Sequence, residues 1–312
     1  MISVVFSSDD TYAQHAGVAL TSVAMNVPDP SKLTFYILDC GITSKNVERL
    51  EACAGKVGSR IKVHKPDLKH FEGLPLGRYG VATWARLLAP ELIPDEKVVY
   101  LDCDLIVEGD LTYLWNLELG ERSVAAVANG SDRSQSDLGV ESKDYFNAGV
   151  LVIDLEAWRK QSFSKKLLAY ANSHRQVLEY LDQDTLNGCL RGEWLRLPPK
   201  WNAMPRVFAP DQAKRVIHET GYSLTEVEEA RYYPAIIHYA SQRRRKPWMY
   251  RSFHPLAYRY WFYLQYTPWA HYRAPDKNVI SFFQRLKRRK QRVQQKEVRE
   301  QILAVNPNLR AT

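Results

Sequence analysis

The chain opens on an apolar, largely β-branched run, Ile2–Phe6, that stops at Ser7-Ser8-Asp9-Asp10. A short apolar run bounded by turn-forming residues predicts a buried strand. From Tyr12 to Met25 apolar side chains recur near helical spacing. Leu33–Leu38 predicts a second strand, Thr43 to Ala54 a helix with Thr43 or Ser44 as N-cap, and Ile61–His64 a third strand. Trp84 to Ala89 predicts a helix that stops near Pro90. Lys97–Leu101 predicts a fourth strand, ending in acids, and Ser123–Ala128 and Gly149–Asp154 predict two more. Past Asn202 the pattern weakens. Tyr250 to Tyr272 is dense in aromatics, and the chain from Phe282 onward reads as basic and helical. Strands alternating with helices imply an α/β fold, a single mostly parallel sheet flanked by helices. Ligands of such sheets bind beyond the carboxyl ends of the strands. The residues to inspect are therefore Ser7 to Asp10, Asp39, and Asp102 to Asp104.

Composition narrows the class. With 312 residues, 45% hydrophobic, the chain can bury a sizeable core. No run approaches the roughly 18–20 apolar residues that span a bilayer. No basic segment precedes the apolar N-terminus, which predicts residence on the cytoplasmic side. The four cysteines, Cys40, Cys53, Cys103 and Cys189, form no CxxC pair and read as reduced core residues. No GxGxxG follows the first strand and no GxxxxGK[ST] occurs, which disfavours a dinucleotide fold of the usual fingerprint and a P-loop NTPase. The net charge of +8 is unevenly spread. From Arg243 to Thr312 there are 17 lysines and arginines against three acids, a balance of +14, while the remainder carries 26 against 32, a balance of −6. An acidic body with a basic C-terminal module implies an anionic partner.

The acids after the fourth strand are the strongest chemical feature. In VVYLDCDLIV, Asp102 and Asp104 stand two residues apart. In an extended segment such side chains share a face. Both carboxylates can then reach one hard cation, Mg²⁺ or Mn²⁺, able to neutralise a diphosphate leaving group.

Several segments, in order from Ile2 to about Trp248, carry a resemblance: VVFSSDDTYAQHAGVALTSV, TFYILDCGIT, TWARLLAPELIP, KVVYLDCDLIVEGDLTYLW, YFNAGVLVIDLEAWR, YLDQDTLNGCL, KWNAMP and IIHYA with the following KPW. The chain resembles the family 8 retaining glycosyltransferases, most closely the bacterial lipooligosaccharide and lipopolysaccharide galactosyl- and glucosyltransferases. The resemblance implies a GT-A fold over residues 1–250, a UDP-hexose donor, a glycan or glycolipid acceptor, and Mn²⁺, or Mg²⁺ in its place. It implies Asp102, Asp104 and His238 as metal ligands. It places Asp9 at the uracil, with Ser7 and Thr11 nearby, Arg86 near the donor phosphate and sugar, Lys246 at the diphosphate, and Asn147 at the donor sugar. Gly149 beside Asn147 suits close backbone approach. Gln183 lies where a nucleophile would sit, Asp184 near the donor sugar, and Asp182 orients their surroundings. Retention could then follow a front-face route or a double displacement.

The chain departs from the family pattern at Ser241, where relatives often have glycine, and at Arg243-Arg244-Arg245, which set Lys246 eight residues after His238 and could supply another diphosphate contact. Asn129 stands where relatives often carry an aspartate, and Leu74–Val81 matches an acceptor-lining loop. Residues 251–312 form a basic, aromatic extension. FFQRLKRRKQRVQQKEV mixes Phe282, Phe283, Leu286 and Val293 with dense cations, which suits peripheral attachment to an anionic membrane surface. No nucleic-acid motif is present. A self-glucosylating primer protein and a non-catalytic UDP-sugar-binding protein are the alternatives.

Overall fold

A computed structural model describes residues 1–77, 79–130, 138–240 and 246–310. The strands are β1 (Ile2–Ser8), β2 (Leu33–Asp39), β3 (Arg60–His64), β4 (Lys97–Leu101), β5 (Leu105–Val107), β6 (Val124–Ala128), β7 (Phe146–Asp154), β8 (Leu195–Arg196) and β9 (Ile236–His238). Seven of them form one sheet in the order β3-β2-β1-β4-β7-β6-β8, and β5 pairs with β9 in a second. β1 runs parallel to β2 and β4, β2 to β3, and β6 to β8. β7 runs antiparallel to both neighbours, β4 and β6. All seven residues of β1 and of β2 are buried, as a sheet covered on both faces requires.

Helix α1 (Ala13–Met25) is apolar nearly all round because it is covered twice. It lies between the sheet and the aromatic helix Ala257–Leu264, whose Tyr260 hydroxyl meets His15 Nδ1 at 2.7 Å. Helix α2 (Ser44–Lys56) turns only Leu50, Cys53 and Ala54 inward. Thr43 is its extended N-cap, but the Thr43 hydroxyl donates to Asp10 instead of capping the helix. All four cysteines are free.

Three expectations needed revision. Pro90 does not stop a helix. The chain runs through Ala82–Ala85 and the tighter turn Arg86–Leu88 into a new turn, Ala89–Leu92, with Pro90 in its first positions, where a missing N–H costs nothing. β7 begins at Phe146, three residues before the expected start. The short strands β5, β8 and β9 were not anticipated, because two or three residues carry no usable periodicity.

The C-terminal region is helical as expected, over Val279–Lys287 and Arg289–Val305. The second of these helices buries Val298 and Ile302 and rests on the helix Leu224–Tyr232. Among the described residues no helix is long and apolar enough to cross a membrane.

Candidate active site

The acids sit where two sheets meet. The chain leaves β4 at Leu101, bends through Asp102 to Asp104, and re-enters an extended stretch at Leu105. The segment is thus not the continuous extended run expected, yet the carboxylates still converge. Leu105 lies opposite His238 in the β5–β9 pairing, which brings the imidazole to the acids. His238 Nε2 lies 3.3 Å from Asp104 Oδ1 and 3.7 Å from Asp102 Oδ2. One ligand atom from each residue lies within 4.8 Å of the others, the single such group among the described residues. Two carboxylates and one imidazole are a donor set that fits a divalent cation. Close packing supports that fit. A Cβ on Gly149 would lie 2.3 Å from His238 Cε1 and 2.7 Å from Asp102 Oδ2, so only glycine leaves these ligands room.

Lys246 reaches the same centre. Its Nζ donates to Asp104 Oδ2 and, at 3.0 Å, to the Tyr239 carbonyl. Burial pushes the Asp104 carboxyl up, but the Lys246 ammonium and His238 outweigh it and hold it well below the usual carboxylate range. Trp248 seats the segment carrying Lys246, stacking on His15 with ring centres 3.5 Å apart. Residues 241–245, and with them Ser241 and the three arginines, lie outside the described residues, as does Arg78 in the acceptor-lining loop.

Arg86 is buried and shared. It donates to the Ala148 carbonyl at 2.5 Å and to Asp102 Oδ1 at 2.9 Å, pairs with Asp182 Oδ2 at 2.8 Å, and covers the Tyr100 ring. A planar fork with five donors can serve all three at once. Burial lowers its basicity, but Asp182, followed by Tyr100 and Asp102, more than offsets this. Asp182 also accepts from the Thr83 hydroxyl, while burial raises its carboxyl to about 6 against the pull of Arg86.

Asp182, Gln183 and Asp184 form the first turn of the helix Asp182–Leu190. The preceding Leu181 adopts φ 50°, a left-handed conformation that is strained for a branched side chain. Gln183 Oε1 accepts from Asn147 Nδ2 at 2.8 Å and from the Ala148 N–H at 3.1 Å. Gln183 Nε2 donates to the Tyr145 hydroxyl at 2.9 Å. Asp184 is fully buried and accepts from Tyr145 at 2.5 Å and from the Tyr180 N–H at 2.7 Å. Burial pushes its carboxyl up, against those bonds.

At the carboxyl end of β1, Asp9 accepts from the Thr11 hydroxyl at 2.7 Å and the Tyr12 N–H at 3.0 Å, closing the turn into α1. The Ser7 hydroxyl donates to the Ala82 carbonyl at 2.6 Å. Asn129 donates its N–H to the Tyr145 carbonyl at 2.9 Å, at the edge of the described residues.

Two site residues were missed. Asn202, fully buried at the end of the turn Pro199–Asn202, bonds both His238 and Asn147. Tyr145 joins Gln183 to Asp184. Asn202 had a signal in KWNAMP, but nothing local shows that a loop amide 36 residues before a histidine will meet it.

Comparison with known proteins agrees with this geometry. The family described as glycosyl transferase family 8 matches residues 3–252. General stress protein A of Bacillus subtilis (strain 168) is 32% identical over 277 residues, covering 86% of this chain and 95% of that protein. Lipopolysaccharide 1,2-glucosyltransferase of Escherichia coli (strain K12) is 27% identical over 296 residues, covering 92% and 84%. The crystal structure of galactosyltransferase LgtC in complex with donor and acceptor sugar analogs superposes with a TM-score of 0.74 at 29% identity, covering 86% of this chain and 96% of that one. The expected GT-A architecture is thereby borne out.

Proposed function

The chain belongs to glycosyl transferase family 8, and from that premise we propose that it moves a hexose, galactose or glucose, from a UDP-sugar to a glycan or glycolipid acceptor such as lipopolysaccharide core, with retention at the anomeric carbon. The convergence of Asp102, Asp104 and His238 beside Arg86 and Lys246 at the carboxyl end of β4 carries this reading. Asp102, Asp104 and His238 would hold a divalent cation, Mn²⁺ or Mg²⁺, which would supply charge neutralisation for the departing diphosphate. Arg86 holds Asp102 in place, so the ligand does not reorganise as charge develops. Lys246, buried against Asp104, is positioned to exchange that carboxylate for a phosphate oxygen. Ser7, Asp9 and Thr11 lie at or just beyond the carboxyl end of β1, which suits a uracil site there.

The hydrogen bonds favour a front-face route. Both acceptor positions of Gln183 Oε1 are engaged, and each Asp184 oxygen already accepts a bond. Neither group is poised to attack carbon. The acceptor hydroxyl would instead attack from the face that UDP leaves and pass its proton to the departing phosphate oxygen. Asn147 and Gln183 then line the sugar as fixed dipoles.

The basic extension, 251–312, is read as a peripheral attachment to the cytoplasmic face of an anionic membrane. Val279, Ile280, Phe283 and Leu286 are exposed. Leu286 also lines, with Val293, a groove of about 630 Å³ shared with Arg285, Arg289, Arg292, Lys296 and Arg299.

The deciding experiment is UDP release from a panel of UDP-sugars with and without Mn²⁺, in the absence of acceptor. Slow cation-dependent hydrolysis of one UDP-hexose is expected. Absence of UDP binding would overturn the donor assignment.

A further inference from the structure

His238 can hold a cation only through a ring nitrogen that carries no proton, and the structure contains a device that decides which nitrogen that is. The device starts at two backbone groups of β7, whose roles cannot be reversed. The Gly149 N–H donates to Asn147 Oδ1 at 3.0 Å, and the Ala148 N–H donates to Gln183 Oε1 at 3.1 Å. Each fixes one side-chain amide. With Asn147 Oδ1 as acceptor, Asn147 Nδ2 faces Gln183 Oε1, at 2.8 Å, in agreement with the second anchor. Asn147 Oδ1 also lies 2.9 Å from the amide of Asn202, so Asn202 must present its Nδ2 there. Asn202 Oδ1 is then left facing His238 Nδ1, at 2.8 Å. A carbonyl oxygen accepts only, so Asn202 can take the ring proton from Nδ1, and once Nε2 gives up its 3.3 Å contact with Asp104 Oδ1 to hold a cation, the neutral ring carries its proton on Nδ1. Nε2, on the other side of the ring, faces Asp104 and Asp102.

We propose that Asn202 is a positioning residue that makes His238 a metal ligand, by holding the ring proton on Nδ1 through the Gly149–Asn147–Asn202 chain. The proposal deepens the transferase reading and rests on its cation site. It assigns a function to the asparagine of KWNAMP and a second function to Gly149. Besides leaving room for the ligands, Gly149 supplies the N–H from which the orientation propagates. Tyr145 extends the same order to Asp184, accepting from Gln183 Nε2 and donating to the carboxylate. Partners that orient a ligating histidine typically carry a 10–100-fold effect on metal affinity.

The test uses ¹⁵N-histidine spectra of the full-length protein saturated with diamagnetic Mg²⁺, with His238→Gln identifying the resonances. Mn²⁺ affinity is measured separately by electron paramagnetic resonance without donor. The wild-type ring is expected with its proton on Nδ1. Asn202→Leu is expected to shift the proton toward Nε2 and to weaken Mn²⁺ binding about 10–100-fold. Asn202→Asp keeps an acceptor against Nδ1 and is expected to preserve the tautomer. A wild-type ring protonated on Nε2, or an Asn202→Leu protein with unchanged tautomer and affinity, overturns the proposal. If Asn202→Leu does not fold, the wild-type and Asn202→Asp spectra decide. Failure of the wild type to bind Mn²⁺ or Mg²⁺ would count against the transferase reading, whereas a cation-loaded ring without its proton on Nδ1 would count against this proposal alone.

Discussion

Gly149 shows how little room the centre leaves. A methyl group there would overlap the His238 ring and the Asp102 carboxylate. Overpacking of a well-packed site typically costs about 1–3 kcal/mol. Gly149→Ala should therefore lower the unfolding midpoint modestly and weaken Mn²⁺ binding by an order of magnitude or more, read by thermal melting and cation titration. A variant that binds Mn²⁺ like the wild type would show that the ligands yield without loss. The importance of Gly149 was partly legible, since a glycine beside Asn147 in a strand invites close approach. The partners it spares, His238 and Asp102, were not, because they lie 89 and 47 residues away in the chain.

Elements meet at rings as well as at the acids. The segment after Lys246 is pinned by aromatic contacts. His254 lies edge-on to Phe208 and Tyr239, accepts the Leu256 N–H on Nδ1 at 3.2 Å, and is held neutral by burial to about 3. His15, under Trp248, is also lowered to about 3, again by burial. Between about pH 3 and 6.5 the unfolded chain binds these protons and the folded chain does not. The contribution is therefore complete above pH 6.5 and is lost as pH falls toward 3. At about 1.36 kcal/mol per pKa unit, each histidine accounts for roughly a few kcal/mol of that acid-side loss. His254→Phe should be destabilised at pH 7 by about 1–3 kcal/mol, since the Leu256 N–H loses its acceptor. It should lose less on going to pH 4.5 than the wild type does. Urea midpoints at the two pH values check this, and an unchanged gap would show that His254 is charged in the folded chain.

The whole molecule joins a transferase body to a cationic face. With 17 lysines and arginines beyond residue 242 and exposed apolar side chains among them, the extension should draw the protein onto anionic vesicles. Co-sedimentation with phosphatidylserine-containing vesicles is expected, falling steeply between 0.1 and 0.5 M salt because surface charges are screened over about 10 Å at 0.1 M. Neutral vesicles should retain little protein. Equal binding to both kinds would refute the electrostatic part. Truncation is a poor substitute for this test. Arg259 in the aromatic helix pairs with buried Glu108 at 2.6 Å, and Tyr258 donates to the Leu309 carbonyl at 2.6 Å, so the extension is knitted into the body.

The strand–helix alternation, the acids at the end of β4 and the charge asymmetry were all legible along the chain. Each is a local property: a run of β-branched residues, two carboxylates two residues apart, a composition. With the resemblance the sequence also placed His238, Arg86, Gln183 and Lys246 in one site. The direction of β7 emerged only on folding, because a buried strand has the same apolar pattern whichever way it runs. The same holds for the turn begun by Pro90 and for the short pairing of β5 with β9 that carries His238 to the acids. Hydrogen-bond direction was beyond local reading as well. Which way Asn202 faces depends on Gly149, Asn147 and His238 at once, and those residues meet only when β7, β9 and the turn Pro199–Asn202 close around one point.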